Sequence, residues 1–276
     1  MKNINYNALP GLNICLGITL FYLSVIVLLP FTALIVMSSK LGINEFFSVL
    51  TDERVLNSFR LTCFTAFIAA LINTFFGSVI AWFLVRVPFP GKRVIDALID
   101  LPFALPTAVS GIVLTTIYSK NGILGKPLME AGIKVAFTPL GIILAMILIG
   151  LPFVVRTVQP ALQDLDGELE EAASSLGANN FQILTRVIFP VITPSILTGF
   201  SLAFARSLGE YGSVVFIAGN MPMKTEISSL LIITKLEQYD TVGATIIGVG
   251  MLMISFLLLF IINRIQSYSG KYLTGR

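Results

Sequence analysis

Arg206 and Glu210 are the pair of side chains in this chain whose types and spacing best suit action on a charged ligand. They stand four residues apart, so on a continuous helix they share a face and can form an ion pair. An ionisable residue at membrane depth is costly and usually faces a bundle interior or a water-filled cavity. Two interpretations are open. The pair is either an exposed ion pair at a helix end, or a gate in which Glu210 tempers the attraction of Arg206 for an anion.

Other kinds of site chemistry are excluded by residue type. The chain has no histidine, and its two cysteines, Cys15 and Cys63, both lie in apolar runs. These features exclude a His/Cys zinc site, a His-dependent triad and a disulfide framework. Residues 122–127 lack the spacing and the Ser/Thr of a P-loop. We therefore expect no metal, no cofactor and no catalytic or nucleotide site, so the chain is not predicted to be an enzyme.

An acidic segment between Arg156 and Arg186 contains no other Lys or Arg. Its five acidic residues are a third of the 15 in the chain: Asp164, Asp166, Glu168, Glu170 and Glu171. The pattern predicts a short helix with acidic residues at its favourable N-terminal end and Gly177 at its C-terminus. Asn179 or Asn180 would cap a second short helix. The segment is either an amphipathic surface hairpin or a docking element for a soluble partner.

The elements that position these residues are apolar. The 276-residue chain is 55% hydrophobic and 12% charged, whereas soluble domains carry about 25% charged residues. Six stretches without charged residues are long enough to cross a bilayer: 3–39, 61–85, 101–119, 135–155, 187–205 and 241–263. The sequence therefore predicts an all-α polytopic membrane protein with six transmembrane helices. The first is too long for a signal peptide and is expected to remain uncleaved.

Residues 206–240 could continue the fifth helix, form a re-entrant hairpin or supply a seventh span. We favour a fifth helix that continues past Arg206 to about Ala218, because residues 219–222 have the composition of a turn.

Rows of small residues at a spacing of four mark three of the predicted helices. They include Thr107, Gly111 and Thr115 in the third helix, and Gly199, Ala203 and Ser207 in the fifth. Such rows let membrane helices approach closely. Close packing within one subunit is one interpretation, and a polar path or subunit interface is the other. If the rows line a path, weak hydroxyl donors at Thr107, Thr115 and Ser207 would join Arg206 and Glu210 along it.

The acidic segment carries a family motif. The motif consists of Glu171, Ala172, Ala173 and Gly177, followed after nine intervening residues by Val187, Ile188, Phe189 and Pro190. It resembles the EAA loop of bacterial ABC importer permeases, and we call residues 156–190 the EAA segment. The resemblance implies a MetI-like ABC permease fold in which this segment is cytoplasmic and couples to an ATPase subunit. Glu171, Ala172, Ala173, Gly177 and Pro190 are then the expected coupling residues, and the N-terminus, four spans earlier, is cytoplasmic.

Other stretches narrow the resemblance to one branch. Residues 100–109 and 150–160 resemble sulfate and molybdate permeases, whereas residues 203–214 and 216–222 resemble the T-type (CysT) permeases of sulfate/thiosulfate importers. This implies an importer of sulfate and thiosulfate. Molybdate/tungstate permeases are the alternative, although they carry Phe where this chain has Tyr211. The implied partners are an ABC ATPase dimer, a W-type sister permease, and a periplasmic sulfate- or thiosulfate-binding protein.

The expected organisation has three parts. An N-terminal helix and periplasmic loop (1–60) precede a type-1 permease domain (61–264) and a cytoplasmic tail (265–276). By resemblance the chain lies in lipid in a bacterial inner membrane, with a plastid membrane as the alternative. A net charge of +3 does not suggest a nucleic-acid partner. A secondary transporter would more typically show inverted repeats, and none is evident.

Overall fold

The computed structural model describes residues 11–39 and 42–274 of the chain. Within them the structure is helical, with two short π-helical segments at Ser24–Leu28 and Leu184–Ile188. The α-helices are α1 Leu12–Leu23, α2 Leu29–Ser39, α3 Ile43–Leu50, α4 Glu53–Arg86, α5 Lys92–Ile99, α6 Leu101–Ala104, α7 Thr107–Tyr118, α8 Gly125–Glu130, α9 Pro139–Gln163, α10 Gly167–Ser175, α11 Asn180–Ile183, α12 Phe189–Leu208, α13 Val214–Ile217, α14 Ser228–Glu237 and α15 Thr241–Thr274.

Five helical stretches in the described part of the chain are long and apolar enough to cross a membrane. They are Leu12–Val36, Glu53–Arg86, Pro139–Gln163, Asn180–Leu208 and Thr241–Arg264. Each coincides with one of the predicted apolar stretches. The predicted all-α membrane fold is therefore confirmed.

The predicted third span differs from a single continuous helix. It is divided between α6 and α7, because Leu105 precedes Pro106 and takes the extended conformation that a residue before proline prefers. Helix α7 has 12 residues and is about 18 Å long, less than the roughly 30 Å of a hydrocarbon core. Helix α7 alone is therefore too short to cross the bilayer, and the chain must cross it in this region by α7 together with its neighbouring segments.

The core is a three-helix unit of α4, α9 and α12. Helix α4 packs most extensively on α9, and α12 packs on both. Small residues permit the approach: a Cβ on Gly77 of α4 would stand 2.9 Å from Val154 of α9, and one on Gly199 of α12 would stand 3.0 Å from the same residue. Members of the small-residue row of the fifth predicted helix, such as Ala203 and Ser207, are buried in this unit, as is Ala66 of α4. This burial supports packing within one subunit.

The first span lies at the periphery of the described structure. None of the side chains described between Leu12 and Val36 is buried, and contact with the rest of the bundle includes the Phe31 and Phe256 rings, whose centroids are 6.4 Å apart. A helix that is apolar and exposed in this way has a surface suited to lipid or to another membrane subunit.

The fifth predicted helix ends earlier than expected. Helix α12 ends at Leu208, with Gly209 as its C-terminal cap, and the chain does not continue helically to Ala218. The prediction was wrong because the Glu210 carboxylate accepts hydrogen bonds from the backbone N–H and the hydroxyl of Ser213, which closes a turn. Residues 219–222 are not helical, with positive φ at Gly219 and Asn220, but the hydrogen-bonded turn lies slightly later, where Met221 O accepts from the N–H groups of Lys224 and Thr225.

Candidate functional site

The EAA segment contains the predicted pair of short helices, each with local capping. Helix α10 begins at the Asp166 cap and ends in a Schellman motif, in which Gly177 N–H bonds to Ser174 O (2.9 Å) and Ala178 N–H to Ala173 O (3.1 Å). Gly177 has a φ of +86°, a conformation that favours glycine. Helix α11 begins with a reciprocal capping box between Asn179 and Gln182.

The turn between α10 and α11 presents apolar groups outward. Leu176 is 89% exposed and Phe181 is 73% exposed. Beside them lies an open groove of about 390 Å³, lined by Ala173, Leu176, Gly177, Ala178, Gln182, Arg186 and Val187. Large apolar side chains left exposed on a polar segment indicate a surface that another molecule covers.

The remaining predicted coupling residues surround this groove or continue it into the membrane. Glu171 and Ala172 are exposed on α10, whereas Ala173 is half-buried and lines the groove. Pro190 is half-buried in the first turn of α12, directly after the π-helical segment. Of the predicted residues, Ala173 and Gly177 therefore line the groove, Glu171 and Ala172 lie beside it on α10, and Pro190 lies at the start of a membrane helix.

An ion pair that sequence reasoning missed joins the EAA segment to α4. Glu170 of α10 accepts a hydrogen bond from the guanidinium of Arg86, the last residue of α4. That guanidinium also lies over the Trp82 ring, 5.4 Å from its centroid, in a cation–π arrangement. The two residues are 84 positions apart, so no local sequence signal could have paired them.

Arg206 and Glu210 form the predicted ion pair, with Arg206 Nη1 2.7 Å from Glu210 Oε2. Of the two interpretations, the exposed helix-end pair does not describe the acid, since Glu210 is only 2% exposed. Its other oxygen accepts two hydrogen bonds from Ser213, each of 2.9 Å, and its backbone carbonyl accepts one of 2.7 Å from Ser229. Arg206 keeps about a third of its side chain exposed.

The three hydroxyl candidates occupy different environments. Thr107 at the start of α7 packs against Gly212, where an added Cβ would stand 2.1 Å from Thr107 Oγ1. Thr115 lies two turns further along α7, lines an open groove of about 330 Å³ and donates to the Gly111 carbonyl. Ser207 is 1% exposed and donates to the Ala203 carbonyl. The structure thus brings Thr107 next to the Arg206–Glu210 turn, whereas the burial of Ser207 favours a packing role.

Two further ionic clusters were not predicted as pairs. Arg54 near the start of α4 binds Glu226 through two hydrogen bonds of 2.6 and 2.7 Å, and the Glu226 side chain is 1% exposed. Arg156 of α9 binds both carboxylate oxygens of Asp100 and one of Asp96. The partners are 172, 56 and 60 residues apart, beyond any helical spacing rule.

Comparison with known proteins identifies a matching family model and close sequence relatives. Residues 73–269 match the family model described as "Binding-protein-dependent transport system inner membrane component". The chain is 49% identical, over 92% of its length and 89% of the relative, to the "Sulfate transport system permease protein CysT" of Synechocystis sp.. It is 44% identical to the Escherichia coli protein of the same name, over 97% of this chain and 96% of that one.

Solved structures share the fold at low sequence identity. The described chain superposes with a TM-score of 0.77 on a bacterial ABC transporter involved in the import of the polysaccharide alginate, at 17% identity, covering 93% of this chain and 95% of that one. It superposes on the MetNI methionine ABC transporter with a TM-score of 0.61, at 16% identity, covering 78% and 96%. The MetI-like permease fold is therefore present. The chain belongs to the family of binding-protein-dependent transport system inner membrane components.

Proposed function

We propose that the chain is the T-type membrane permease of an ATP-driven importer that carries sulfate, and also thiosulfate, into the cell. The observation that carries the proposal is the 44–49% identity, over more than nine-tenths of this chain, to relatives named as sulfate transport permeases. The exposed apolar turn of the EAA segment supports a coupling surface, and the ion pair between the partly exposed Arg206 and the buried Glu210 supports a candidate gate.

Energy for this transport comes from a partner. Moving one negative charge inward against a membrane potential of 100 mV costs about 2.3 kcal/mol, and sulfate carries two. Since the sequence contains no P-loop, ATP is hydrolysed by a separate ABC ATPase dimer. The ATPase binds the EAA segment at the groove and at the exposed side chains of Leu176 and Phe181. The proposed assembly also contains a W-type sister permease and a periplasmic sulfate- or thiosulfate-binding protein.

This proposal also implies how the helices are oriented across the membrane. The EAA segment lies at the cytoplasmic surface, together with Arg86, and the opposite ends of α4, α9 and α12 lie at the periplasmic surface. Arg206 and Glu210 then stand at the outer end of the bundle. The proposed membrane is a bacterial inner membrane, with a plastid membrane as the alternative.

The proposed anion path passes Arg206 and Glu210 and continues along α7. Arg206 is charged and partly exposed, which suits transient contact with an oxyanion, and Glu210 lowers its attraction so that the ion passes without being trapped. Thr107 and Thr115 add weak hydroxyl donors on one helix. Ser207 is the fifth residue proposed for the path, although its hydroxyl is already bonded within α12.

The test is uptake of labelled sulfate by proteoliposomes that contain the chain with its ATPase, sister permease and binding protein. We expect uptake that requires ATP and is reduced by excess unlabelled thiosulfate. Ala173→Trp should abolish uptake by filling the groove, whereas Ala173→Ser, which adds one oxygen atom, should retain it. Uptake without ATP would support a secondary transporter, and uptake of molybdate in preference to sulfate would support the alternative substrate.

A further inference from the structure

Helix α4 is held by an arginine–glutamate pair near each of its ends. We propose that α4 acts as a transmission rod, which carries movement of the EAA segment to the turn that contains Glu210. Arg86 and Glu170 are the positioning residues at one end, and Arg54 and Glu226 at the other. The proposal rests on the coupling role proposed above for the EAA segment.

The connection at the Arg86 end is a side-chain link to a weakly anchored helix. Helix α10 contains no buried side chain and packs mainly on α11 and the π-helical segment Leu184–Ile188. Glu170 joins it instead to Arg86 of α4, where the Trp82 ring holds the guanidinium from one side. A displacement of α10 by an ATPase therefore pulls on α4 directly, in addition to the covalent route into α12.

Helix α4 is the stiffer of these two routes. It is one uninterrupted α-helix of 34 residues without proline, about 51 Å long, and its row of buried small residues packs on α9. The covalent route from α10 into α12 instead passes a π-helical segment, a feature that interrupts regular helix geometry, and then Pro190 and Pro194. Movement is transmitted better along an uninterrupted, packed helix than through an interrupted one.

The other end of α4 is tied to the candidate gate through a short chain of contacts. Arg54 holds the buried carboxylate of Glu226 with two hydrogen bonds. Two residues later, Ser228 N–H donates to Thr62 Oγ1 of α4 at 2.9 Å. The next residue, Ser229, donates its hydroxyl to the Glu210 backbone carbonyl at 2.7 Å. The turn that orients Arg206 is thus fixed to α4 rather than to α12 alone.

The experiment measures sulfate transported per ATP hydrolysed in the reconstituted complex. An ion pair of this exposure contributes about 0.2–1 kcal/mol, so Glu170→Gln and Arg86→Gln should each lower that ratio by about 1.4- to fivefold. Assembly and ATPase stimulation by the binding protein should be retained. Arg86→Lys should retain most of the ratio, and the charge exchange Arg86→Glu with Glu170→Arg should recover part of what either exchange alone removes.

Matched controls separate the rod from general effects of charge. Glu168→Gln changes an exposed acid on the same helix α10, and Arg60→Gln changes an exposed arginine on α4, and neither should alter the ratio. Arg54→Gln should lower the ratio as Arg86→Gln does. The pairing is overturned if the charge-exchange double variant, Arg86→Glu with Glu170→Arg, lowers the ratio by the product of the losses that the two single exchanges cause. The rod is overturned if Arg54→Gln transports with an unchanged ratio.

The outcome also separates this proposal from the proposed function. Wild-type proteoliposomes without ATP-dependent sulfate uptake would contradict the function itself. Wild-type uptake that Ala173→Trp abolishes, together with an unchanged ratio in Glu170→Gln, would contradict only the transmission through α4.

Discussion

Arg206 Nη1 lies 2.7 Å from Glu210 Oε2, although helix α12 ends at Leu208 between the two residues. The pair therefore does not depend on a continuous helix. The buried Glu210 carboxylate connects the helix end, through Arg206, to the following turn, through Ser213. A change at either residue acts on the position of that turn as well as on charge.

Removal of the acid alone should impair transport more than it impairs assembly. Glu210→Gln keeps an oxygen that can accept from Ser213 but leaves Arg206 without its counter-ion. Because a hydrogen bond to a charged group contributes about 1.5–3 kcal/mol and Arg206 is partly exposed, we expect uptake to fall by about tenfold. Arg206→Gln combined with Glu210→Gln should recover part of this loss. A double variant as inactive as the worse single variant would refute the pairing model.

Replacement of Gly177 should disturb the EAA segment through the backbone. Nothing lies within 4 Å of the position of an added Cβ, so crowding is not the cause. The cause is the φ of +86°, which costs roughly 1–2 kcal/mol for an L-residue and more for a β-branched one. Gly177→Val should therefore reduce coupled uptake in a complex that still inserts. Gly177→Asn, which tolerates this conformation, should retain most of the uptake, and equal losses in both variants would argue against backbone strain.

The contact of α7 with the Glu210 turn should be sensitive to a single methyl group. A Cβ on Gly111 would stand 2.3 Å from the Ser213 carbonyl oxygen, so the backbone must move. Overpacking of this kind costs about 1–3 kcal/mol, and Gly111→Ala should lower the melting temperature of the purified protein in detergent. Gly248→Ala is the control, because its Cβ would meet nothing within 4 Å. Similar melting temperatures for the two variants would contradict the close packing described at Gly111.

The hydroxyl candidates are tested as a group. If Thr107, Thr115 and Ser207 offer successive weak contacts to the oxyanion, changing all three to Ala should reduce sulfate uptake by about tenfold. Each lost donor would account for roughly 0.5 kcal/mol. The protein should remain folded, because Thr115 and Ser207 bond only to carbonyls of their own helices. Unchanged uptake in the triple variant would remove these residues from the path.

Asp240 makes the stability of the protein at the start of α15 depend on pH. The backbone N–H of Gly243, and then the Lys235 ammonium, lower the pKa of the Asp240 carboxyl below its ordinary value. Since the pKa is lower in the folded state, the stabilisation is complete above about pH 4, the unfolded value. It is lost as the pH falls through the lowered folded value.

The measurement is the melting temperature of wild type and Asp240→Asn between pH 7 and pH 3. We expect wild type to be the more stable protein at pH 7 and the difference to shrink below about pH 4. A difference that stays constant over this range would show that the charge of Asp240 does not contribute. Asp240→Ala should cost about 1 kcal/mol at neutral pH, because it also removes the cap of α15.

Local interactions account for what the sequence could predict. Apolar stretches longer than a bilayer require helices, because lipid offers no partner to an exposed backbone group. The caps of α10 and α11 and the Arg206–Glu210 spacing are likewise contained within a turn or two of chain. These features were predicted and are present, and the family motif rests on the same EAA segment.

Tertiary structure decided which helix faces meet. In lipid an apolar side chain is equally satisfied by a neighbouring helix or by an acyl chain, so hydrophobic pattern does not identify the packed face of α4. Contacts between distant residues fixed the pairs Arg86–Glu170 and Arg54–Glu226. Tertiary structure also determined that α12 ends at Leu208. The apolar residues beyond Leu208 are compatible with a continued helix, and it is the burial of Glu210 that ends it. Sequence alone thus determined five of the six predicted spans and the caps of the two short helices in the EAA segment. Only packing determined the division of the third span, the end of α12 and the ionic links between helices.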